Sequence, residues 1–192
     1  MNTRNIFSFA AVLLLLITVS FVNAGTEGKE NQHSQKTSVI VVGHGAPAKD
    51  FPKLKEYFKL HDSHTLEAEQ LEDELIHWPR NEKNDEYWAG FIKVINAFKK
   101  SNSFHSIHYA FNEMCAPTVK EALMEAAKEN PDVIVLTSIM VTPGGGHSEK
   151  DIPAAIELFK EEHPDIKVVY AWPYDVSDIS NLLLNQVNKF VK

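Results

Sequence analysis

A single cysteine, Cys115, stands in the 192 residues, so no intramolecular disulfide can staple the fold and stability has to come from packing. No run of lysines and arginines gathers into a stripe, and acidic residues outnumber basic ones to a net charge of −7. Both features argue against nucleic acid as a partner and, more mildly, against an anionic membrane surface. Neither a zinc-protease helix nor a serine nucleophile elbow is present, which lowers the case for a hydrolase. Gly144-Gly145-Gly146 lacks the Lys-Ser or Lys-Thr that a phosphate-binding loop requires after its glycines. Internal repeats are absent too.

What is present begins with a targeting pattern. Arg4 supplies a positive start, Ile6 to Val22 is almost wholly apolar, and Val22-Asn23-Ala24 is a small-residue cleavage pattern. Residues 1–24 therefore read as a signal peptide, with export to the periplasm or beyond and no stable membrane insertion after cleavage. An uncleaved anchor is the competing reading, because the apolar run approaches the roughly 18 residues that span a bilayer. No cysteine follows the run to accept a lipid. Residues 25–37 are polar, without periodicity, and read as a flexible leader. Residues 38–192 suffice for one domain with a substantial core.

Within that domain, apolar runs bounded by turn residues alternate with segments of helical period, as βαβ units around a parallel sheet require. Strands are expected at Ser38–Val42, Ile107–Phe111, Val133–Val141 and Lys167–Ala171. Helices are expected at Pro117–Glu129, Asp151–His163 and from Asp178 onward. The first crossover is long, with helical segments at Phe51–Leu60, Thr65–Trp78 and Tyr87–Lys100, and such an excursion builds a lid or wall for a site. Right-handed crossovers give a four-stranded, flavodoxin-like α/β sheet in the order 2-1-3-4, flanked by helices and with an enlarged helical insertion after strand 1.

That order puts the carboxyl ends of strands 1 and 3 side by side, where open α/β sheets bind ligands. His44 follows the first of these strands and His147 the loop after the other, while Glu113 closes the strand on the far side of strand 1. Two imidazoles and a carboxylate at one edge suit a divalent metal and proton transfer near neutral pH. Gly43 and Gly45 leave room beside His44 for a flat ligand, and the N–H groups after Gly146 offer an anion site.

Other residues carry smaller expectations. His61 and His64 read as a solvated loop pair, and His105 and His108 as pointing to opposite sides of a strand. Trp78, Tyr87, Trp88 and Phe91 offer a flat aromatic wall, although Trp88 and Phe91 at helical spacing suit a core. Arg80 and Lys83 are candidates to pair with ligand carboxylates, or simply solvated; Cys115 is expected to be buried.

Val41-Val42-Gly43-His44-Gly45, Phe111-Asn112-Glu113 with Pro117 four residues on, Gly146-His147 followed by Asp151-Ile152-Pro153, and Tyr170-Ala171-Trp172-Pro173 together resemble the class II tetrapyrrole chelatases. The small sirohydrochlorin cobaltochelatases, the CbiX type, are the most similar. The resemblance implies ATP-independent insertion of Co²⁺, or of Ni²⁺ or Fe²⁺, into a carboxylated tetrapyrrole. It implies His44 and His147 as metal ligands and proton acceptors, Glu113 as a further metal-site residue that assists in metal delivery or proton removal, no organic cofactor, and a homodimer. An exported carrier of metal or haem, without turnover, is the alternative.

Overall fold

The computed structural model describes residues 35–100 and 103–191. The expected signal peptide and most of the leader lie outside the described residues. Four strands, β1 (Thr37–Gly43), β2 (Ser106–Phe111), β3 (Val133–Ser138) and β4 (Lys167–Tyr170), form a fully parallel sheet in the order β2-β1-β3-β4. The expected topology is therefore the observed one. As the central strand with helices to either side, β1 buries six of its seven residues, which is why Val39 to Val42 is a continuous apolar run rather than an alternating one.

The connecting helices are α1 (Leu54–Leu60), α2 (Leu66–Ile76), α3 (Glu86–Lys100), α4 (Val119–Ala127), α5 (Ile152–Glu162) and α6 (Val176–Val187). On one face of the sheet, Ile40, Val42, Ile134 and Leu136 pack against Leu123 of α4 and Ile156 and Phe159 of α5. On the other, Val39 and Val41 meet Phe91 and Ile95 of α3. Each fully buried side chain of this kind contributes roughly 1.5–3 kcal/mol. α4 starts at Val119 rather than Pro117 because Thr118 caps it. The Thr118 hydroxyl accepts from the Glu121 N–H at 3.2 Å, and the Glu121 carboxylate accepts from the Thr118 N–H at 2.7 Å.

Two expectations are corrected here. β3 stops at Ser138, not Val141: the Ile139 N–H still reaches the Val42 carbonyl, but the Ser138 hydroxyl then accepts the Met140 N–H and bends the chain away. α6 starts at Val176, two residues before Asp178, because the Asp175 carboxylate caps the Ser177 N–H at 2.7 Å.

The insertion has its own small core, in which Phe51, Tyr57, Leu71 and Leu75 pack with Trp78 and Met114. Met114 belongs to the turn after β2. The Ala116 N–H donates to the Ile76 carbonyl at 2.9 Å, so the insertion props that turn from behind. No helix among the described residues is long and apolar enough to cross a membrane.

Candidate metal centre

The carboxyl edge of the sheet brings β1 and the turn after β2 into backbone contact. The His44 carbonyl accepts from the Asn112 N–H at 3.1 Å and the Glu113 N–H at 3.0 Å. Gly45 (φ +103°) makes this approach possible, since a Cβ there would lie 1.9 Å from the Glu113 carbonyl oxygen. Gly43 is likewise closed off, with the Phe91 ring 3.2 Å from where a Cβ would sit. These glycines serve backbone packing and do not make room for a flat ligand. Tyr87 completes the support by accepting the His44 N–H at its hydroxyl, 2.8 Å away.

His147 enters from the other side. It opens one wide, π-type turn, His147–Asp151, that runs straight into α5. The rings of His44 and His147 meet edge to face with centroids 4.8 Å apart, and Glu113 reaches between them. Its carboxylate lies 3.3 Å from His44 Nδ1 and 3.7 Å from His147 Nε2. One ligand atom from each of His44, Glu113 and His147 lies within 4.8 Å of the others, all three residues half-buried. All three residues expected at this edge are thus brought together.

The hydrogen bonds around the imidazoles fix which nitrogen is free. His44 Nδ1 lies 2.9 Å from the Gly45 carbonyl, which can only accept, so Nδ1 carries the proton. His147 Nδ1 faces both the Asp151 carboxylate at 2.6 Å and the Asn112 amide at 2.7 Å. One ring nitrogen cannot donate to the first and accept from the second. The charge-assisted bond to Asp151 wins, and the Asn112 amide is left to donate to Asp151 at 3.4 Å. The His147 Nε2 lone pair, 3.7 Å from the Glu113 carboxylate, is then available, while His44 faces the same carboxylate with its Nδ1. The bond from His147 holds the Asp151 carboxyl below the usual carboxylate range, with Asn112 adding to the effect.

Asp151 and Asn112 are therefore site residues that the strand-end argument did not single out. For Asp151 a signal existed, because His147 and Asp151 stand four apart where a helix begins, a spacing that stacks side chains. For Asn112 and Tyr87 the contacts are long-range and had no local signature. Of the N–H groups expected to form an anion site after Gly146, that of Glu149 is taken by the Gly145 carbonyl, and the Glu149 carboxylate itself accepts the Gly144 N–H at 2.6 Å.

The remaining candidates sort by burial. Phe91 is buried against the sheet and Trp88 is half-buried beside it, while Trp78 packs on Phe51 in the insertion, so no four-ring wall forms. Arg80 is buried, its guanidinium donating to the carbonyls of Leu75 and Met114, and it lies 3.7 Å from the buried Asp85. It serves the interior of the protein, while Lys83 stays exposed. His105 and His108 both approach the carboxylate of Glu129, at 4.0 and 3.4 Å, because His105 precedes β2 and escapes its alternation. His61 pairs with its neighbour Asp62 and meets the rings of Tyr57 and Phe58, and both it and His64 are exposed, the solvated loop pair expected. Cys115 is fully buried, and burial pushes its thiol up to about 11.

Comparison with known proteins gives consistent results. The family model described as CbiX matches residues 82–189. A sirohydrochlorin cobaltochelatase of Methanopyrus kandleri is 32% identical over 69 residues, covering 36% of this chain and 48% of its own. A sirohydrochlorin ferrochelatase of Priestia megaterium is 22% identical over 99 residues, covering 51% of this chain and 37% of its own. The chain thus spans half or less of the length of these curated relatives. Among solved structures, a CbiX protein of cobalamin (vitamin B12) biosynthesis from Marinobacter aquaeolei superposes with a TM-score of 0.50 at 17% identity. That superposition covers 80% of this chain and 94% of the other, a likeness of fold.

Proposed function

Because the chain belongs to the CbiX family, we propose that it inserts a divalent metal ion into sirohydrochlorin or a close relative, without ATP. The observation that carries this reading is the convergence of His44, Glu113 and His147 at one strand edge, one ligand atom of each within 4.8 Å of the others. Metal insertion makes two demands. The hydrated ion must exchange water for protein ligands before the macrocycle takes it, and two pyrrole N–H protons must leave as it enters. Glu113 supplies a hard oxygen ligand for the first demand. Neutral imidazole meets either one, since its Nε2 lone pair binds an ion or accepts a proton, one at a time. Asp151 orients His147 and stabilises the positive charge it gains in either role. No covalent intermediate with the protein is needed.

Co²⁺ is the metal proposed first, on the likeness to the Methanopyrus kandleri cobaltochelatase, with Fe²⁺ or Ni²⁺ as alternatives. Copper and zinc outbind cobalt at imidazole–carboxylate sites, so selectivity rests on geometry and supply. The signal pattern of residues 1–24 supports action outside the cytoplasm on a delivered tetrapyrrole.

Anaerobic absorbance spectroscopy of the protein with sirohydrochlorin and Co²⁺ tests the reading. Metallation faster than the uncatalysed reaction is expected, with a fall of about 10²–10⁴ in His147→Ala, the range removed with a general acid or base, and a comparable fall in His44→Ala. Absence of acceleration, with a tight spectral shift on adding metal or haem alone, would replace the enzyme by a carrier.

A further inference from the structure

Tyr87 stands in the first turn of α3, and its ring is fixed where it touches the core. It stacks on Phe91 with planes 14° and centroids 6.5 Å apart, and tilts against Phe111 of β2 at the same separation. Both partners are buried. The main chain beneath is held too, because the Asp85 carboxylate accepts the Trp88 N–H at 2.8 Å and also the Tyr87 N–H, which caps the start of the helix. Yet Tyr87 keeps 36% of its surface open. A rigid ring with one side on the core and the other in solvent presents its polar tip beside His44.

The hydrogen bond at that tip uses only half of what a phenol offers. A tyrosine hydroxyl both accepts and donates. Here its oxygen accepts the His44 N–H at 2.8 Å. An amide N–H cannot accept in return, and no other group among the described residues takes the tyrosine proton. The O–H is therefore a donor turned away from the His44 amide, at the rim of the candidate metal centre. The cations that could do the same work are engaged elsewhere: Arg80 is buried on the carbonyls of Leu75 and Met114, Lys49 is paired with Glu86, and Lys53 with Glu74.

We infer that Tyr87 is a substrate-binding residue, whose O–H donates to a peripheral carboxylate of the tetrapyrrole when the macrocycle's nitrogens face His44 and His147. The inference rests on the chelatase reading and names a contact that the reading leaves open. An O–H···O⁻ bond is charge-assisted and short, so it recognises a carboxylate in preference to a neutral group. The same oxygen that meets the ligand also holds the main chain of His44. One atom thus registers the rim of the macrocycle against the first imidazole. The hydroxyl lies one hydrogen bond from the His44 backbone and the imidazole one side chain from it, as a peripheral carboxylate lies a ring's width from the macrocycle's centre.

Binding of metal-free sirohydrochlorin to the full-length protein is followed by the ligand's absorbance and fluorescence, beside a Co²⁺ titration and the rate of metallation. Tyr87→Phe keeps the ring that packs on Phe91 and Phe111 and removes the donor. Its tetrapyrrole affinity is expected to fall about 10–100-fold, the range carried by a hydrogen bond to a charged group. That fall should exceed any in Co²⁺ affinity or kcat, because the His44 carbonyl keeps its bonds to Asn112 and Glu113. Unchanged tetrapyrrole affinity, or a fall matched by the loss of Co²⁺ affinity, makes Tyr87 a support for His44 alone and overturns the inference while the chelatase reading stands. A parent protein that neither binds nor metallates sirohydrochlorin overturns both. If Tyr87→Phe fails to fold, replacement of Tyr87 by 3-fluorotyrosine decides: this stronger donor of nearly the same shape should bind the tetrapyrrole more tightly, and an unaltered affinity overturns the inference.

Discussion

Asp151 is the residue on which the chemistry of His147 turns, although it touches the ring on the side away from Glu113. An ionised carboxylate behind an imidazole fixes the tautomer and raises the basicity of the far nitrogen, and losing such a partner costs about 10–100-fold in metal affinity. Asp151→Asn keeps the shape and removes the charge. Co²⁺ titrations should show a loss of that size, and unchanged affinity would detach Asp151 from the centre. His44, Glu113 and His147 were legible in sequence because strand ends in a parallel sheet are where ligands bind, so a polar residue just past an apolar run is informative. Tyr87 and Asn112 were not, since what they do depends on which loops meet, and no local pattern encodes that.

Among the elements, the strands and their order followed from apolar runs and crossover handedness, whereas the end of β3 depended on one serine hydroxyl competing for a backbone N–H. The attachment of the insertion to the core was equally hidden. His77, at the end of α2, is gripped by Glu121 of α4 at 2.9 Å and by Asp73 one turn back. The Glu121 bond, helped by the Asp73 carbonyl, raises the imidazole above its ordinary value of 6.5. A raised histidine stabilises the fold fully below the unfolded value and loses that contribution as pH climbs through the folded one. Thermal stability should therefore decline as pH rises upward from about 6.5. The contribution stays under about 1 kcal/mol, because both partners are substantially exposed. Glu121→Gln retains a capping side chain at the third position of α4 and should flatten that part of the curve; a slope identical to the parent's would assign the pH dependence elsewhere.

For the whole molecule, the buried side chain of Arg80 is the tie between the insertion, the core and the candidate metal centre. Its guanidinium holds the Met114 carbonyl, one residue from Glu113, and faces Asp85, whose carboxyl is pushed up by burial and pulled back down by the Trp88 N–H and by Arg80 itself. Removing one member of a buried pair leaves the other charge uncompensated and costs about 3–5 kcal/mol. Arg80→Met should lower the stability measured in urea by about that amount and weaken metal binding in step. A stable variant with intact binding would show that the insertion does not brace the site.

The seam between the His44 carbonyl and the N–H groups of Asn112 and Glu113, closed over a residue that tolerates no side chain, behaves as a welded caliper. The spacing between the first imidazole and the carboxylate is therefore set by main chain. The third group, His147, is carried by the separate turn that leads into α5, preceded by the glycine-rich loop. On the proposed reading, variation in that loop would shift the third ligand without disturbing the frame.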